Sequence, residues 1–148
     1  MEKLKIQTGD WVVVCDGKKA MILENRGDEK FPNLRSKETF DHPDQPTHLQ
    51  GSGAPGRVYP SVGTARSAVE QTDWHDESER AFLRTVVDKL DHALKRGETK
   101  SLIMVAPPRA LGVLRQIYPL AVRNALRGEV DKDLVKLPLY EIEKRLLA

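Results

Sequence analysis

The sequence predicts a single α/β domain: a mixed sheet of about five strands flanked by helices, in the order βββ, long loop, αβαβα. Three observations predict it. A β-branched run folds back on a second run through a tight turn, a strongly amphipathic segment stands in the middle of the chain, and a continuous apolar run ends in two prolines. The 148 residues fit one domain, 1–148, which buries roughly two thirds of the surface of the unfolded chain.

Trp11-Val12-Val13-Val14-Cys15 is short, apolar and β-branched, and Asp16-Gly17 after it suits a type I′ turn, whose central residues need positive φ. Ala20 to Asn25 returns, so the first pair is a hairpin. Asn25-Arg26-Gly27-Asp28 supplies a second turn, and Leu34 to Phe40 forms a third strand whose charges suit a sheet edge. From Asp41 to His75 aliphatic residues almost vanish, while four glycines and four prolines punctuate the chain. Residues 41–75 therefore read as a long functional or flexible loop.

Phe82, Leu83, Val86, Val87, Leu90, Ala93 and Leu94 then recur at helical spacing. Asp76 and Glu79 resemble a capping box at the start of this helix, and Arg96-Gly97 supplies a cation and a C′ glycine at its end. Ser101 to Ala106 reads as a central strand. Pro107-Pro108 stops it, and Pro108 opens a helix that runs to about Ile117, with Leu111, Leu114 and Ile117 on one side. Val122 to Val130 is expected to be the last strand, Asp131-Lys132-Asp133 a turn, and Leu139 to Leu147 a final short helix.

Lys and Arg number 24 against 22 Asp and Glu, a net charge of +2 with the signs interleaved, so no concentrated basic stripe marks tight nucleic-acid binding. A weak or shape-based contact with RNA stays open. The one cysteine, Cys15, excludes an internal disulfide and reads as a small buried apolar residue. Met1 to Lys5 leads into the first strand without a signal-peptide apolar run, and no stretch of about eighteen apolar residues follows anywhere. A cytoplasmic protein without a membrane span is expected.

Within the loop, Gly51, Gly53 and Gly56 beside Arg57 permit backbone amides to press against a phosphate or an ester carbonyl. Their spacing is neither that of a P-loop nor that of a dinucleotide fingerprint, so no nucleotide cofactor is expected. The plainer alternative is a polar surface loop with Arg57 and Arg66 in water. Asp73-Trp74-His75-Asp76 offers Trp74 and His75 for stacking on a base or anchoring a partner. Alternatively Trp74 packs under the loop, Asp76 or Asp73 caps the helix, and His75 makes a local hydrogen bond. Adjacent residues cannot all face one ion, so no metal site is expected there. Asp16 admits a hydrolase reading, with magnesium held between it and carboxylates such as Glu24, Glu70 or Asp73; as the residue before Gly17 it also reads as a plain turn former. Arg109 stands at the mouth of a strand-to-helix turn, where α/β folds bind ligands, although the two prolines remove amides an anion would use.

Trp11-Val12-Val13 with Asp16-Gly17, Asn25-x-Gly27-Asp28, the run Arg66 to Asp76, Val105-Ala106-Pro107-Pro108-Arg109-x-Leu111-Gly112 and Lys132-Asp133-Leu134 together resemble the bacterial host attachment protein family, over nearly the whole chain. That family is named for a part in attachment to host cells, and its members look like relatives of the middle domain of archaeal and eukaryotic peptide-release factors. The kinship implies that the long loop corresponds to the one that carries Gly-Gly-Gln in those factors. Gln50-Gly51-Ser52-Gly53 and Gly63-Thr64-Ala65 lie in that stretch, and neither has a glutamine after two glycines. The resemblance thus implies a binding module that meets a ribosome, an RNA or a protein partner through its loop, without peptide release and without a cofactor. The alternatives are a surface-interaction protein in attachment and a metal-dependent hydrolase or nuclease using Asp16 and the Asp73 to Asp76 cluster.

Overall fold

The opening hairpin sets the register on which the rest of the sheet is laid. β1 (Trp11–Cys15) pairs antiparallel with β2 (Lys19–Asn25), and β2 with β3 (Leu34–Asp41), so the three form the expected meander. The computed structural model describes residues 5–41 and 60–147, with side chains described for 5–41 and 77–147. After α1 (Pro60–Lys95) come β4 (Leu102–Ala106), α2 (Pro108–Ile117), α3 (Leu120–Ala125), β5 (Leu126–Asp131) and α4 (Leu139–Leu147). β4 lies parallel to β1 and β5 parallel to β4, giving a five-stranded mixed sheet in the order β3-β2-β1-β4-β5.

Strand alternation divides the core into two layers. Trp11, Val13 and Cys15 of β1 and Leu102, Met104 and Ala106 of β4 face α1, α2 and α3, through Phe82, Leu83, Val86, Leu90, Leu111, Leu114 and Val122. Val12, Val14, Ile103 and Val105 face the other way, onto Ile6, Leu134, Val135 and, from α4, Ile142 and Leu146. Every residue of β1 and β4 is buried, as strands covered on both faces must be. β3 exposes its charges at the sheet edge.

α1 ends as its sequence demands. Gly97 adopts φ +78°, its N–H donates to the Leu94 carbonyl, and the Glu98 N–H donates to the Ala93 carbonyl, a Schellman closure. Its start differs from expectation. The helix begins at Pro60, so residues 60–75 are helical and Asp76 is an interior residue rather than an N-cap. The lack of an apolar stripe in the sequence of 60–75 does not keep the backbone from coiling. The rest of the expected loop, 42–59, lies outside the described residues.

Two further corrections concern turns. The β1–β2 connection is not a type I′ turn on Asp16-Gly17: among the described residues the positive-φ glycines are Gly9 and Gly97. The turn centres on Gly17-Lys18, with the Asp16 N–H donating to the Lys19 carbonyl and Asp16 Oδ1 accepting the Lys18 and Lys19 N–H groups, each at 2.8 Å. The strand expected over Val122 to Val130 is in fact α3 followed by β5. Pro119 starts α3, Val122 buries itself on the helical layer, and Ala125 follows its helical preference. β5 is tied to α2 by Glu129, which accepts from Tyr118 Oη at 2.8 Å and Arg115 Nε at 2.9 Å. Burial first, and then this hydrogen bond, raises the Tyr118 pKa above its ordinary value.

Candidate functional site

Three connections meet beyond the carboxyl ends of β1 and β4, where open α/β sheets place their ligands. The β1–β2 turn contributes Asp16 and Lys18, the β4–α2 turn contributes Arg109, and the segment after β5 contributes Lys136; α1 crosses above them at Glu79. Together they bound a cleft of about 280 Å³.

Each side chain is held there for a local reason. Asp16 is fixed by the two amides it accepts, and α1 packs closely on the glycine that follows: a Cβ at Gly17 would stand 2.7 Å from Glu79 Cγ and Cδ. Pro107 is extended at φ −66° and Pro108 occupies the first position of α2, a stiff corner that sets Arg109 on the first turn. Arg109 is exposed, and its Nη2 lies 3.9 Å from Glu79 Oε1. The segment carrying Lys136 is anchored by Leu134 and Val135, both buried, with the Leu137 N–H donating to the Leu134 carbonyl. Neither Lys18 nor Lys136 is in an ion pair among the described residues.

Cys15, the residue before Asp16, is buried, with Sγ 3.9 Å from Met104 Sδ. Burial, and next the charge of Asp16, push its thiol up to about 12. It is a protonated packing group, as the sequence suggested, and not a nucleophile. Among the described residues no three His, Cys, Asp or Glu side chains are grouped to hold a metal ion.

Of the residues singled out from sequence, Arg109 and Asp16 come together in the cleft. Gly51, Gly53, Gly56 and Arg57 lie outside the described residues, as do the side chains of Arg66, Trp74, His75 and Asp76, whose backbone is part of α1. Lys18, Glu79 and Lys136 were not identified from sequence as site residues. Lys18 adjoins the recognised turn, but Lys136 carries no local signal and reaches the cleft only through the packing of α4 and β5. Glu79 packs on Gly17 and pairs with Arg109 instead of closing a capping box.

An open mixed sheet with a charged cleft at the carboxyl ends of its parallel strands defines an α/β protein of the crossover-helix class. Residues 11–146 match the family described as "Protein required for attachment to host cells", and the chain belongs to that family. It is 25% identical over 140 residues to an uncharacterized protein of Rickettsia prowazekii (strain Madrid E), covering 93% of this chain and 91% of that one. A crystal structure of an archaeal translation termination factor, aRF1, is similar with a TM-score of 0.45 and 12% identity over 83% of this chain. The chain spans 30% of that factor's length. Among the described residues no helix is long and apolar enough to cross a membrane.

Proposed function

We propose that this protein is a cytoplasmic binding module for an RNA-bearing partner, the ribosome foremost, and that it lacks peptide-release activity. One observation carries the reading. β3 ends at Asp41, opposite Lys19, at the same end of the sheet at which Lys18, Arg109 and Lys136 converge. Asp41, the last described residue before the glycine-bearing segment, therefore stands at the end of the sheet that carries the cationic cleft, which supports a partner that engages both. In this reading Gly51, Gly53, Gly56 and Arg57 supply backbone and charge, and Arg66, Trp74 and His75 supply contacts from the amino-terminal half of α1. At ~1.5 Å per residue that helix is about 54 Å long. Among its described side chains, those that pack into the core run from Phe82 to Leu94, about 20 Å of this length.

The kinship with release-factor middle domains that the family resemblance implies favours RNA over a protein partner, and the absence of Gly-Gly-Gln from the chain favours binding without hydrolysis. Sedimentation of the full chain with purified ribosomal particles tests the reading: the protein is expected in the pellet at low salt and in the supernatant at high salt. Its absence from the particles at low salt would contradict the proposal. Fractionation of cells tests the location, and recovery in the envelope fraction alone would contradict it.

A further inference from the structure

We propose that the cleft at the carboxyl ends of β1 and β4 is a seat for one phosphate group, with Lys18, Arg109 and Lys136 as its cationic walls. Glu79 is an internal anion with which the phosphate competes for Arg109. Such a seat rests on the binding reading above and gives it a chemistry.

The charges favour an anion. Three cations arrive from three separate connections, and the two carboxylates among them are already engaged, Asp16 by two backbone amides and Glu79 by Arg109. The Glu79–Arg109 contact is long, 3.9 Å, between an exposed guanidinium and a half-buried carboxylate, a geometry that a closer ligand can improve on. Lys18 and Lys136 give up no ion pair among the described residues when they turn toward an incoming group. A carboxylate ligand would bring one charge and two acceptor oxygens into a cleft that already holds two carboxylates. A phosphate brings more acceptor oxygens and suits the planar fork of arginine, so it competes better with Glu79. Neither Pro107 nor Pro108 has an N–H, so the Arg109 and Ala110 amides are the first that α2 presents on this side. The volume, about 280 Å³, is at the small end of ligand sites and matches one nucleotide unit better than a folded partner.

The test uses the full chain and a short labelled oligouridylate, with thermal melting of each variant as a check on folding. Lys18→Gln with Lys136→Gln is expected to lower affinity about tenfold and to reduce the salt dependence of log affinity by about one or more. Glu79→Gln, of the same shape without the charge, is expected to raise affinity roughly threefold. Competition by inorganic phosphate or a nucleoside monophosphate would assign the seat to a terminal phosphate, and competition only by unlabelled oligouridylate would assign it to the RNA backbone; both support the seat. RNA binding that is unchanged in both variants overturns the seat and leaves the binding module standing. Displacement of the RNA by polyglutamate as readily as by phosphate overturns the choice of ligand. Failure of the native chain to bind any RNA removes the binding reading and the seat with it.

Discussion

The two ends of the sheet both carry acid–base pairs, yet they are built to opposite standards. At the amino end of the parallel strands, Asp10 is buried and accepts the Gln7 N–H at 2.8 Å together with a close contact from Arg127. Arg127 is the residue that the register shift between β4 and β5 leaves out of the ladder, which frees it to turn toward Asp10. Beside them Asn25, also buried, donates to the Ile6 and Asp28 carbonyls and accepts from the Gly27 and Asn33 N–H groups, while Thr99 Oγ1 donates to the Gly9 carbonyl. At the carboxyl end the Arg109–Glu79 pair is 3.9 Å long with Arg109 exposed and Glu79 half-buried, and two exposed lysines stand outside any ion pair among the described residues. Polar groups that are buried and satisfied hold a fold together, whereas exposed and loosely paired charges remain available to a ligand.

The contrast is sharpest in stability. Asn25→Ala removes four hydrogen bonds at a buried site and is expected to cost about 3 kcal/mol, read by urea unfolding. Asp10→Ala leaves Arg127 without its carboxylate, and because Arg127 keeps a third of its side chain in solvent the expected cost is about 2 kcal/mol. A loss below half of either value would break the claim that this end is structural.

Gly17→Ala probes the junction between sheet and helix. The new methyl group collides with the Glu79 side chain, at an expected cost of about 1 to 2 kcal/mol that Glu79→Ala largely relieves in the double variant. Strictly additive costs would show that Gly17 and Glu79 do not press on each other. Two residues before Gly17, the Cys15 thiol gives a pH signature. Its folded value of about 12 lies above its ordinary 9.0, so the neutral thiol's contribution is complete below pH 9 and is lost as pH rises toward 12. Stability is expected to fall over that window with a slope of up to about 1.4 kcal/mol per pH unit from this group, and Cys15→Ala is expected to flatten it. An identical slope in that variant would assign the loss to other groups. The smallest stability effect is expected for Lys18→Gln with Lys136→Gln, within about 0.5 kcal/mol of the native chain.

Much of the scaffold was legible from local pattern. The hairpin, the edge strand, the buried β4, the closure of α1 at Gly97 and the last helix each follow from short-range preference or periodicity. Legibility failed where packing and preference part company. Residues 60–75 lack an apolar stripe and were read as loop although they coil, and Ala125 and Leu126 stand at a helix-to-strand join that no turn residue marks. In the site, Arg109 and Asp16 were visible because turn chemistry frames them. Lys136 was not, because a lone surface lysine acquires meaning only when β5 and α4 carry it to the cleft. Glu79 was visible but misassigned, since the same spacing that suggests a capping box also aims it at Gly17.

The most direct measurement is a map of backbone amide chemical shifts in the full chain as a short oligouridylate is added. The structural end and the binding end are expected to respond differently: shifts concentrate at Gly17, Lys18, Glu79, Arg109, Ala110 and Lys136, while Asp10, Asn25, Thr99 and Arg127 stay in place. Shifts gathered around Asp10 and Asn25, or none near Lys18 and Arg109, would contradict the account.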